Sequence, residues 1–122
     1  MAKILIVDDS NMLRDMVRYA LNEGGYADVV EAVDGLDGLE KAKSASFDLV
    51  ITDINMPNVN GFDLTRQLRS MPAYQKIPIL ILTTECTDEM KQKGKGAGAT
   101  GWIVKPFEGE KFIKVVDMYM KG

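Results

Sequence analysis

The chain has no histidine, one cysteine (Cys86), one tryptophan (Trp102) and four prolines in 122 residues. Each scarcity excludes something. Without histidine the protein cannot carry a phosphohistidine, and it lacks the imidazole most often used in acid–base catalysis. A single cysteine excludes an internal disulfide, and no neighbouring basic cluster argues for a lowered thiol pKa, so Cys86 reads as a bystander. No apolar run approaches the roughly 20 residues that span a bilayer. The first apolar stretch is too short for a secretory leader and runs straight into Asp8-Asp9. The expected location is therefore the cytoplasm, without membrane contact. Lysine and arginine number 15 against 18 acids, and no basic run stands out, which argues against a nucleic-acid surface.

What is present suits a globular chain: 46% hydrophobic and 27% charged residues, in a length that fits one domain and one core. Short β-branched runs alternate with helical patterns five times. After Asp9, Ser10 or Asn11 caps a helix whose inner face is Leu13, Met16, Val17, Ala20 and Leu21, with Arg14, Asp15 and Arg18 elsewhere, and Gly24-Gly25 stops it. A weaker edge strand covers 28–33. Asp34 begins a helix with Leu36, Leu39 and Ala42 inward, and a strand follows over 49–52. Asn60 starts a third helix carrying Phe62, Leu64, Leu68 and Met71, ended by Pro72. Pro57 and Gly61 shape the preceding loop, with glycine suited to a positive φ there. A strand at 79–82 leads to a helix over 88–97, which is weakened by Gly94 and Gly96 and has Met90 as its only large apolar side chain. A strand at 102–104 and a helix over 108–120, with Phe112, Val115, Val116 and Tyr119 on one stripe, complete the pattern. Short connections and strict alternation predict α/β architecture: one (βα)5 domain over 1–122, a parallel sheet with helices on both faces, and no output domain.

Four of the strands end in reactive groups: Asp8-Asp9, Asp53, Thr83-Thr84 and Lys105-Pro106. In open parallel sheets ligands bind beyond the carboxyl ends of the strands, where the strand order reverses. Three carboxylates, a hydroxyl and an ammonium then share one polar site. Carboxylates crowded together repel, and a hard divalent cation with oxygen ligands relieves the repulsion.

The ordered set Asp8-Asp9, Asp53, Thr83 and Lys105-Pro106 resembles the receiver domain of two-component response regulators, over the whole chain from Lys3 onward. It looks most like the stand-alone chemotaxis regulators of the CheY type. The resemblance implies a flavodoxin-like sheet of order 2-1-3-4-5 and a cis Lys105–Pro106 bond. It implies Asp53 as phosphoacceptor, with Thr83 and Lys105 assisting. It implies Mg²⁺, with Mn²⁺ as a substitute, held by Asp9, Asp53 and the backbone carbonyl of Asn55, with Asp8 acting mainly through water. Asn55 and Glu85 occupy positions that tune loss of the phosphoryl group. Thr83 and Trp102 occupy the switch positions, although the family usually carries Tyr or Phe where Trp102 stands. The implied protein is a monomeric phosphoacceptor switch rather than an enzyme. A chemotaxis-type histidine kinase supplies it, and a phosphatase serves it. A face made of the fourth helix, fifth strand and fifth helix presents the signal to a downstream protein such as the flagellar motor switch. A phosphate sink would use the same residues. A haloacid-dehalogenase-type phosphatase would need a second Asp at position 55, and a flavodoxin-like carrier would need a first loop that Asp8-Asp9 do not repel from phosphate.

Overall fold

Ser10, Asp34, Asn60 and Thr87 each turn a side-chain oxygen onto the backbone N–H three residues ahead, and these caps start four of the helices. In the computed structural model, which describes residues 2–121, the elements in chain order are β1 (Lys3–Val7), α1 (Asn11–Glu23), β2 (Asp28–Ala32), α2 (Gly35–Ser44), β3 (Leu49–Thr52) and α3 (Gly61–Arg69). A short 3₁₀ turn (Pro72–Tyr74) precedes β4 (Ile79–Thr83), α4 (Asp88–Ala97), β5 (Gly101–Val104) and α5 (Gly109–Met120). All strand pairs are parallel, in the order β2-β1-β3-β4-β5.

Alternation along the strands builds two cores. Ile4 and Ile6 face α1 and α5, with Val17, Leu21, Phe112 and Val116, whereas Leu5 and Val7 face α2 and α3, with Leu39, Leu64 and Leu68. The central strands are buried on both faces, which is why they read as continuous apolar runs. Each large aliphatic side chain so buried contributes about 1.5–3 kcal/mol. A third cluster of Ile54, Phe62, Ile81 and Ala97, with Trp102 packed on it, lies under α4.

The structure corrects several expectations. Met16 and Leu36 point outward, 47% and 46% exposed, because Val17, Ala20 and Leu21 fill the α1 contact and Leu39 and Ala42 the α2 contact. Arg14, expected outside, is buried. The third helix stops at Arg69 with Ser70 as its cap, so Met71 lies beyond it and Pro72 opens the 3₁₀ turn. The positive φ in the loop after β3 belongs to Asn58, at 70°, and not to Gly61.

Candidate functional site

β1, β3, β4 and β5 end at one edge and bring their terminal side chains there. Asp8 follows β1 and its N–H still donates to the Ala32 carbonyl at 3.1 Å. Its Oδ1 accepts from Ser10 N–H at 2.9 Å and its Oδ2 lies 3.2 Å from Lys105 Nζ. Asp53 follows β3, tied to β1 by its N–H on the Val7 carbonyl at 3.1 Å. Asp53 Oδ1 accepts from Ile54 N–H at 2.7 Å, and Oδ2 lies 3.1 Å from the same Lys105 ammonium. One ammonium thus bridges two carboxylates, with side chains only 16%, 4% and 12% exposed for Lys105, Asp8 and Asp53. Burial raises the Asp8 pKa above 3.8, against the lowering pull of the Ser10 N–H and Lys105; the Asp53 charge adds to the rise.

Asp9 is exposed at the mouth. One oxygen each from Asp8, Asp9 and Asp53 lies within 4.8 Å of the others. An all-oxygen, all-anionic donor set, open to solvent at Asp9, fits a hard divalent cation such as Mg²⁺ and would suit a soft metal poorly. Asn55 is exposed two residues beyond Asp53.

Gly61 explains how the loop returns over the site. A Cβ there would overlap the carbonyl of Asp53 and come within 2.9 Å of Ile54 Cα. Glycine is needed for close approach, not for its φ. Asn58 Nδ2 donates to Asp34 Oδ2 at 2.9 Å and pins the far side of this loop to the start of α2.

Thr83 ends β4 fully buried, and its hydroxyl oxygen accepts from Glu85 N–H at 3.3 Å. Lys105 leaves β5 through a backbone bond to the Thr83 carbonyl at 2.8 Å, and the Lys105–Pro106 bond is cis. Trp102 is half-buried under α4. Its ring stacks on Phe62 at 6.5 Å between centroids, and its Nε1–H donates to the Glu85 carbonyl at 2.9 Å. Glu85 therefore touches both Thr83 and Trp102 through its backbone.

The structure brings Asp8, Asp9, Asp53 and Lys105 into one cluster and sets Thr83 at the same edge. Sequence reasoning missed Arg14, whose Nη1 donates to the Asp8 carbonyl and whose Nη2 donates to Asn11 Oδ1. A usable signal was present: Arg14 and Arg18 stand one helical turn apart, and Glu31 interrupts the otherwise apolar end of a strand.

A family model described as the response regulator receiver domain matches residues 4–117. Chemotaxis protein CheY-3 of Vibrio cholerae is 41% identical over 105 residues, 86% of this chain and 81% of its own length. Chemotaxis protein CheY1 of Helicobacter pylori is 41% identical over 106 residues, 86% of each. Among solved structures, chemotaxis response regulator CheY4 of Vibrio cholerae superposes with a TM-score of 0.92 at 47% identity, covering 98% of both chains.

Proposed function

Because the chain belongs to the response regulator receiver domain family, we propose that it is a chemotaxis-type switch whose Asp53 accepts a phosphoryl group from the phosphohistidine of a histidine kinase. The observation that carries this reading is the Lys105 ammonium, held 3.1 Å from Asp53 and 3.2 Å from Asp8. A carboxylate oxygen of Asp53 attacks phosphorus, the P–N bond to the donor imidazole breaks with its electron pair returning to nitrogen, and an acyl phosphate results. In such transfers the protein contributes positioning and charge neutralisation. Ile54 N–H fixes one Asp53 oxygen, and Lys105 supplies positive charge to the arriving phosphoryl group. Because the Thr83 oxygen accepts from Glu85 N–H, its own hydrogen is free to donate to a phosphoryl oxygen.

Asp9, Asp53 and the Asn55 backbone carbonyl are the residues that would hold Mg²⁺, or Mn²⁺ in its place, with Asp8 assisting through water. When bound, the ion supplies the positive charge that three carboxylates and one ammonium leave lacking. Asn55 and Glu85 stand at the mouth, where polar groups tune attack by water on the acyl phosphate. Movement of Thr83 toward the phosphoryl group pulls on Glu85, whose carbonyl holds Trp102. The face of α4, β5 and α5 would then change its affinity for a downstream protein, such as the motor switch. We place this monomeric regulator in the cytoplasm, with a phosphatase as a further partner. No described helix is long and apolar enough to cross a membrane.

A small phosphodonor with Mg²⁺ tests the acceptor. The protein is expected to gain one phosphoryl group, labile to hydroxylamine, and Asp53→Asn to gain none. Labelling of that variant at the wild-type rate would refute the assignment. Pull-down with and without beryllofluoride then separates a switch, which captures a target only in the loaded form, from a phosphate sink.

A further inference from the structure

Arg14 is a buried cation that the proposed chemistry leaves unused. Its side chain is 7% exposed, a burial that charge tolerates only with partners. The fork has three. Nη1 donates to the backbone carbonyl of Asp8, Nη2 to Asn11 Oδ1, and Nε to Glu31 Oε1 at 3.1 Å. Glu31 is in turn fixed: Arg18 Nε donates to its other oxygen at 2.7 Å, and Lys41 Nζ to its backbone carbonyl at 2.6 Å. One planar group therefore links α1, β2 and the residue that follows β1.

The place of the Asp8 carbonyl gives this link its meaning. β1 ends at Val7, paired with Ala32 on one side and Thr52 on the other. The Asp8 N–H continues the ladder onto Ala32, but its carbonyl passes to the guanidinium instead of to a strand. A peptide unit is planar, so holding that carbonyl also holds the Asp9 nitrogen in the same plane and sets the direction in which Asp9 leaves it. Asp9 is exposed, with no burial of its own to hold its side chain in place.

We infer that Arg14 is a positioning residue for the cation site: it orients the Asp8–Asp9 peptide so that the Asp9 carboxylate meets those of Asp8 and Asp53. This rests on the metal reading above. The action is geometric, since the Arg14 charge is already paired with Glu31. A lysine would preserve the charge but not the planar fork.

The test is a Mg²⁺ titration of wild type, Arg14→Lys, Arg14→Met and Glu31→Gln, followed through backbone amide resonances of residues 8–10 and 53, with a thermal melt of each protein. Partners that orient metal ligands typically cost about tenfold or more in affinity when removed, and both Arg14 variants are expected to show that loss. Their Asp9 amide should be displaced before any metal is added. Glu31→Gln keeps an acceptor for Nε and should show a smaller loss; it replaces any Arg14 variant whose melt shows that it has not folded. A folded Arg14→Met with affinity within about twofold of wild type would overturn the inference, given the size such partners normally carry. So would full rescue by Arg14→Lys, or unchanged affinity in Glu31→Gln if neither Arg14 variant folds. A wild type that binds no Mg²⁺ would overturn the metal reading and this inference with it, whereas wild-type binding matched by every folded variant would overturn the inference alone.

Discussion

Tyr26 shows how much a single side chain can report. Its hydroxyl donates to Asp117 Oδ1 at the end of α5, and Lys121 lies over its ring. Burial, and then the Asp117 carboxylate, push its pKa from 10.0 up to about 12. Between those values the unfolded chain releases a proton that the folded chain keeps, so stability is lost as pH rises through that window. Thermal melts across it should show wild type losing melting temperature faster than Tyr26→Phe. At neutral pH the variant should be less stable by about 1 kcal/mol, the usual size of one hydrogen bond. Parallel curves would mean that Tyr26 does not set the alkaline limit. Its partner was out of sight in the sequence, because Tyr26 and Asp117 lie far apart in the chain. Arg14 was hidden for a related reason: helical periodicity places a charge away from the apolar stripe, and only the fold supplies Glu31 and the Asp8 carbonyl. Gly61 was noticed for the wrong property, since its need for space appears only once the Asp53 carbonyl is in place.

Among the elements, α4 was legible in its bounds but not in its packing. Thr87 caps it, Asp88 and Glu89 sit favourably in its first turn, and Gly98 ends it at φ 105°. Arg69 holds that end by donating to the Gly98 carbonyl at 2.9 Å and to Thr100 Oγ1 at 3.0 Å. The two glycines, equivalent by propensity, differ in surroundings. A Cβ on Gly96 meets nothing within 4 Å, whereas one on Gly94 lies 2.7 Å from Trp102 Cζ3 and 3.2 Å from Ile81 Cδ1. Gly96→Ala is therefore expected to stabilise by about 1 kcal/mol through helix propensity. Gly94→Ala adds the same propensity but overpacks the indole, at a cost of about 1–3 kcal/mol. It should drive the ring off Phe62 and off the Glu85 carbonyl. Urea unfolding gives the stabilities, and emission from the sole tryptophan gives the ring position; a Gly94→Ala spectrum identical to wild type would show that the ring has not moved. Elsewhere, Met16 looked like a core position because the stripe on α1 is wider than the surface that covers it. It borders a surface hollow with Tyr19, Phe107 and Gly109 instead.

For the molecule as a whole, α/β class, five alternations and the meeting of Asp8, Asp9, Asp53 and Lys105 at one edge were readable from patterns at the strand ends. The strand order was not: it came with the family resemblance, and the pairing registers bear it out. The cation site proposed above would make the stability of the whole fold depend on divalent cations. Mg²⁺ at about a hundred times its dissociation constant should stabilise the folded state by about 2.7 kcal/mol through linkage. Melts with and without Mg²⁺ check this. Asp9→Ala should melt higher than wild type without metal and fail to respond to it, and a wild type indifferent to millimolar Mg²⁺ would remove the cation site. The bridge made by Lys105 has a last consequence, in the order in which the protein is made. Its two carboxylates lie 97 and 52 residues earlier in the chain, and the lysine reaches them past β4 from the last strand. Synthesis runs from the N-terminus at about 5–20 residues per second, so both acids leave the ribosome several seconds before their cation. A nascent chain carries Asp8 and Asp53 but not the assembled cluster, which closes only when the final strand docks.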